Sequence, residues 1–214
     1  MILSHALRAA TPKGPPPIAF ISSSTERAST SAPFAVDAPS GIQEGDLLLA
    51  YYSHNGTTTA LTPPSGWTTL VASERVANSR FALFSLIAGP SEPSTYTFDS
   101  ADSSNQRVSI ALFRGGSASV DVVGSRAGVD GSNTIAAPSI TTTQSGLLLA
   151  YSSCEGAGVE LTSGPSGMTE RFLYQDLAPR ATLYSLTQGT GATGDKSFVW
   201  NNTSSKLALL VQLY

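Results

Sequence analysis

The sequence predicts an all-β fold: an internally duplicated β-sandwich, jelly-roll-like or Ig-like, with two similar units in rigid contact behind an extended N-terminal arm. Three observations predict it. No window of about 11 or more residues keeps the 3.6-residue apolar period of a helix. Short apolar runs recur instead, each bounded by Gly, Pro, Ser, Asn or Asp, which is the punctuation of strands and turns. The chain also repeats itself at a spacing near 100 residues, and such periods decide an architecture before local propensities do.

The arm covers residues 1–17. Met1 to Ala10 can form a short helix with Ile2, Leu3 and Leu7 on one side. Thr11-Pro12-Lys13-Gly14-Pro15-Pro16-Pro17 must then run extended, because proline lacks the N–H and fixes φ. Ile2, Leu3, Leu7, Pro15, Pro16 and Pro17 are the candidate partner-binding residues, on the reading that this extension docks on a neighbouring subunit. The plainer reading is a disordered terminus. Apolar residues at the tip favour docking, since a solvated tail has no use for them.

The first unit, residues 18–116, carries predicted strands near 18–23, 33–37, 46–54, 67–74, 80–87, 94–99 and 107–114. The second, residues 117–214, carries them near 120–126, 134–138, 146–154, 169–176, 180–187, 196–201 and 207–214. Leu47-Leu48-Leu49-Ala50-Tyr51 returns as Leu147-Leu148-Leu149-Ala150-Tyr151, with Ser53 and Gly56 returning as Ser153 and Gly156. Pro64-Ser65-Gly66 returns as Pro165-Ser166-Gly167, and Arg80, Leu83, Ser85 and Leu86 return as Arg180, Leu183, Ser185 and Leu186. Seven strands per unit with closely spaced turns is sandwich or jelly-roll spacing.

Two strands are apolar on both faces. Leu47, Leu49 and Tyr51 point one way while Leu48, Ala50 and Tyr52 point the other, so the strand belongs in a sheet covered on both sides. The second cover is the other unit, a long loop or another subunit. The linker at Gly115-Gly116-Ser117 is too short to decouple the units. They form either two sandwiches in contact, which the strand count favours, or one large sandwich with shared sheets.

Composition excludes several functions. Lys and Arg total 12 against 15 Asp and Glu, a net charge of −3, so the basic excess of a phosphate-gripping nucleic-acid binder is missing. Charged residues are 13% of the chain against a usual ~25%, while Ser and Thr total 54. The lone Cys154 excludes an intrachain disulfide. No run approaches the ~18 apolar residues of a membrane span, and the first residues lack the pattern of a signal peptide.

The chemistry of an enzyme is not found. The two histidines are His5 in the arm and His54 at a strand end, matched in the repeat by Cys154; no base stands by a nucleophile. Gly189-Thr190-Gly191-Ala192-Thr193-Gly194 matches a dinucleotide motif literally. It is followed by the strand-like Lys196-Ser197-Phe198-Val199-Trp200, where that motif needs a helix. Asp99 and Asp102 read as a polar turn rather than a Ca²⁺ site. Trp67 aligns with Met168 and Trp200 with Phe98, which reads as core filling ahead of a sugar platform. No cofactor and no catalytic or metal residue is expected.

Gly45-Asp46-Leu47-Leu48-Leu49-Ala50, Pro63-Pro64-Ser65-Gly66-Trp67, Ala111-Leu112-Phe113-Arg114-Gly115 and Gly167-Met168-Thr169-Glu170-Arg171 occur in that order. This resembles a group of β-rich virion structural proteins of tailed bacteriophages and prophages, over about residues 40–214. The resemblance implies a non-enzymatic capsid decoration or head-fibre protein, or a tail component. Its partners would be the major capsid protein or tail proteins, with no nucleic acid and no membrane. It implies a homo-oligomer, a trimer being common at such sites by symmetry, made in the host cytoplasm and located in the virion. The competing expectation is a carbohydrate-binding or host-adhesion module working through loops near 55–66 and 155–167. Burial of Trp67 would favour the scaffold; its exposure in a concave patch would favour binding.

Overall fold

In the computed structural model, residues 16–28, 33–54, 61–76, 79–100 and 105–214 are described. The structure is all-β: several antiparallel sheets pack together, and no helix occurs among the described residues. No described helix is therefore long and apolar enough to cross a membrane.

The first unit contains β1 (Ala19–Ala28), β2 (Phe34–Asp37), β3 (Leu47–His54), β4 (Leu61–Thr62), β5 (Thr68–Val76), β6 (Ser79–Ile87), β7 (Thr95–Ser100) and β8 (Gln106–Arg114). The second contains β9 (Val120–Val123), β10 (Ala127–Val129), β11 (Thr134–Ala137), β12 (Thr141–Thr142), β13 (Gly146–Cys154), β14 (Leu161–Ser163), β15 (Thr169–Tyr174), β16 (Arg180–Gln188), β17 (Gly191–Ala192), β18 (Lys196–Trp200) and β19 (Lys206–Leu213). The large sheet of the first unit runs β1-β8-β3-β6-β5 and that of the second β10-β19-β13-β16-β15, with β9 also on β19. Small sheets β2-β7-β4 and β11-β18-β14 accompany them, with the short pair β12-β17. Position by position, the two halves follow the same strand order.

The body has four layers, because strand side chains alternate between faces. Leu47, Leu49 and Tyr51 of β3 meet Leu147, Leu149 and Tyr151 of β13 in a central core between the two large sheets. Leu48, Ala50 and Tyr52 face the other way, against Phe34, Val36, Tyr96 and Phe98 of the first small sheet. Leu148 and Ala150 likewise face Ile135, Ala137, Phe198 and Trp200 of the second. The double-faced apolar runs are thus explained, and the second cover is the other unit. Each unit keeps a core of its own, and a third core joins them.

Several elements differ from the sequence expectation. β1 runs on to Ala28; its Ser22-Ser23-Ser24-Thr25 stretch is half-buried at a sheet edge, where polar side chains blunt further pairing. The expected strand at 120–126 ends at Val123 as β9, and a separate strand, β10, follows it at Ala127–Val129. β4, β12, β14 and β17 are two or three residues long, too short to leave a periodic signature.

Candidate functional site

Strand register sorts the molecule into two ends. At one, Ala28 pairs with Gln106, and His54 pairs with both Gln106 and Arg80. In the second unit Cys154 pairs with Lys206 and Arg180 at the same level. This is the loop end. At the other, Ala19 pairs with Arg114, Leu47 with Phe113, and Leu147 with Leu213. We call this the arm end, after the arm the sequence leads one to expect before Pro16.

The arm end is built around glycines. The Gly116 N–H donates to the Pro16 carbonyl at 2.6 Å, and the N–H groups of Ser117 and Ser119 donate to the Tyr214 carbonyl at 3.1 and 3.3 Å. Gly116 has φ +58°, and a β-carbon there would stand 2.7 Å from the Tyr214 carbonyl carbon; one on Gly115 would stand 2.5 Å from the Pro17 oxygen. Only glycine lets the linker pass between the arm root and the last residue. A cavity of about 360 Å³ opens there, lined by Pro16, Pro17, Ile18, Gly116, Ser145 and Tyr214 among others. Of the candidate partner-binding residues, Pro16 and Pro17 are exposed at this root. Ile2, Leu3, Leu7 and Pro15 lie outside the described residues.

Beside it, two of the four sequence blocks, Gly45–Ala50 and Ala111–Gly115, come together. Arg114 of the Phe-Arg-Gly block donates from Nε and Nη2 to the two oxygens of Asp46 in the Gly-Asp-Leu-Leu-Leu block, both at 2.7 Å. The Gln43 N–H also donates to Asp46 at 2.8 Å. Burial works to raise the Asp46 carboxyl, but Arg114 and this N–H together hold it below its ordinary range. In the second unit Gly146 and Tyr214 occupy the matching positions. There Asp121 instead accepts from the backbone of Thr143 and Gln144.

The seam between units is polar toward the loop end. Arg107 is almost fully buried. It donates from Nε to the Pro179 carbonyl at 2.6 Å and from Nη2 to Asp176 Oδ1 at 2.7 Å and the Leu177 carbonyl at 3.0 Å. Its guanidinium also lies 5.7 Å from the Tyr174 ring centre, and Arg27 Nε donates to the Ala178 carbonyl at 2.7 Å. Two arginines of the first unit therefore hold the 176–179 loop of the second. From the opposite side, Arg126 binds the Ala72 carbonyl and Glu74.

Sequence reasoning missed the buried charges. Lys206 donates to the carbonyls of Ser132, Asn202 and Ser204 at 2.8, 2.8 and 2.6 Å. Glu155 is 4% exposed, and burial pushes its carboxyl up to about 8, against the opposing pull of the Ser79 hydroxyl and Arg180. Glu155 carries no local signal, because Ser79 and Arg180 are distant in sequence, and nothing near Lys206 shows that it also reaches Ser132.

Cys154 is buried, and burial raises its thiol to about 12, which leaves no thiolate at neutral pH. His54 is buried against the Tyr52 ring. Gly191 sits in β17, and the glycine-rich segment leads into β18, a strand. Trp67 is 8% exposed and meets Tyr96 and Phe98 edge-on at 5.2 and 5.9 Å. Trp200 is buried and donates its indole N–H to Ser152 Oγ at 3.3 Å. Both tryptophans fill cores. Asp99 lies in β7, and Asp102 lies outside the described residues. Among the described residues no three His, Cys, Asp or Glu side chains gather as a metal site. No family model, curated protein or solved structure matches the chain.

Proposed function

We propose that the chain is a non-enzymatic structural protein of a tailed-bacteriophage particle, attached to the capsid surface as a decoration or head-fibre component or, second, to the tail. The observation that carries this reading is the division of the body into an arm end and a loop end. Pro16 lies beside Gly116 and Tyr214, so the expected arm, with Ile2, Leu3 and Leu7, would join the body at that end. An extended segment starting there adds buried area on a neighbouring protein without disturbing the sheets. The partners are the major capsid or tail proteins and further copies of this chain. Three stacked cores without a disulfide suit a part that must persist in the virion without a cofactor.

The test is co-sedimentation with undecorated capsids. Removal of residues 1–15 leaves the circular dichroism of the body unchanged and abolishes binding. Full occupancy by the truncated protein overturns the reading.

The second reading, a carbohydrate-binding or host-adhesion module, loses its aromatic platform with Trp67 in the core. One observation favours it: an open cavity at the loop end, on the seam between units.

A further inference from the structure

Where the two units meet at the loop end, a cavity of about 470 Å³ is lined by Arg27 and Asn105 of the first unit and by Gly156, Asp176, Leu177 and Arg180 of the second. Its size lies within the ~300–1,000 Å³ of small-ligand sites, which favour domain interfaces. We propose that it is a binding site for a singly charged acidic sugar, a carboxylate carried on a hydroxylated ring.

The charge balance gives the sign. Arg27 spends Nε on the Ala178 carbonyl and Nη2 on the Asn105 side-chain oxygen, which leaves Nη1. Arg180 spends Nε on the Gln175 carbonyl and Nη1 on the Gly156 carbonyl, which leaves Nη2. Neither guanidinium has an ion-pair partner among the described residues. The carboxyl of Glu155 near Arg180 holds its proton at neutral pH, so it does not cancel that charge. In a chain of net charge −3, two guanidiniums without carboxylates make a local positive site, and their fork geometry suits a carboxylate.

The rest of the lining selects the sugar. Asp176 contributes a carboxylate that is 66% exposed and already paired through Oδ1 with Arg107. It repels a polyanion and accepts hydroxyl donors, as the Asn105 amide nitrogen can meet hydroxyl acceptors. Leu177 is 51% exposed and offers an apolar patch to the C–H face of a ring. A bare inorganic anion has no use for Leu177, and a neutral sugar has none for the arginines. The site adds a ligand to either reading of the body, and capsid sedimentation and sugar binding fail independently.

Calorimetric titration of the full chain with D-glucuronate, D-glucose and inorganic phosphate tests this. Glucuronate binds saturably, and glucose and phosphate bind at least about tenfold more weakly. Leu177→Glu, at a half-exposed rim side chain, weakens glucuronate about tenfold or more with the melting temperature unchanged; Arg27→Gln weakens it likewise and also lowers the melting temperature, because the Nε bond to the Ala178 carbonyl is lost. No saturable glucuronate binding overturns the proposal, as does equal affinity for glucose or phosphate. Unchanged affinity in Leu177→Glu also overturns it, and this variant decides alone if Arg27→Gln fails to fold.

Discussion

Tyr51 and Tyr151, the same residue of the two sequence repeats, stack ring on ring across the central core, with centroids 4.6 Å apart and planes at 14°. Both are buried, and Phe81 packs on Tyr151 at 5.4 Å. Equivalent positions meeting each other is the geometry of a self-complementary contact between like halves.

The stack makes a divided prediction. Tyr51→Ala or Tyr151→Ala opens a cavity in the core and costs about 3–5 kcal/mol. The double variant costs less than the sum, because each ring is the other's partner. Tyr51→Phe behaves differently. The Tyr51 hydroxyl is buried with no hydrogen-bond partner among the described residues, so its removal is neutral or stabilising. Urea unfolding of the four variants checks this, and a loss above about 1 kcal/mol in Tyr51→Phe contradicts it.

Glu155 gives the fold a pH dependence of defined sign. In the unfolded chain its proton leaves near 4.5; in the fold, burial holds it to about 8. Between those values the folded protein binds the extra proton. Stability therefore falls as pH rises through this window, by up to about 1.4 kcal/mol per unit, and levels above it. Glu155→Gln flattens the curve and is the more stable protein at pH 9. Melting temperatures of both proteins at pH 5, 7 and 9 test it; parallel curves would show that Glu155 is not the group responsible.

Arg107 and Asp176 form an ion pair whose halves are unequal, at 2% and 66% side-chain exposure. Asp176→Asn removes charge from a solvated side and costs about 1 kcal/mol or less. Arg107→Ala leaves the carbonyls of Leu177 and Pro179 without the guanidinium donor that holds them at the seam. It costs about 3–5 kcal/mol and loosens the 176–179 loop, read as faster amide exchange there. Equal losses in the two variants would mean that the pair, and not the carbonyl contacts, holds the units together.

What the sequence made legible follows from repetition and alternation. Leu47–Tyr51 and Leu147–Tyr151 announced both the duplicated pattern and the need for two covers, since unbroken apolar runs do not face water. Trp67 and Trp200 were readable as core because their repeat partners are other apolar residues. The Gly45–Ala50 and Ala111–Gly115 blocks were readable as structure, and the Asp46–Arg114 pair gives the physical reason: it closes one end of a sheet. The seam was not legible. Arg107 stands in a strand pattern beside Val108 and Ser109, and nothing near it signals that its acceptors lie at Asp176, Leu177 and Pro179. The pairing of Thr141-Thr142 with Gly191-Ala192 is likewise a tertiary event, without enough residues to show a period.

The last strand sets the sharpest stability prediction. β19 pairs with β13 along Leu207 to Leu213 and with β9 and β10 on its other side. Leu207, Leu209, Val211 and Leu213 enter the central core while Ala208 and Leu210 enter the core of the second unit. A chain ending at Lys206 loses all of these side chains, and β13 loses a whole hydrogen-bonded neighbour. Each buried Leu or Val is worth about 1.5–3 kcal/mol, so the five lost together are worth as much as the ~5–15 kcal/mol that holds a typical domain folded. The second unit unfolds, and the first large sheet loses its cover. Circular dichroism and solubility of the shortened chain report the outcome. A native-like spectrum would mean that the central core does not depend on β19.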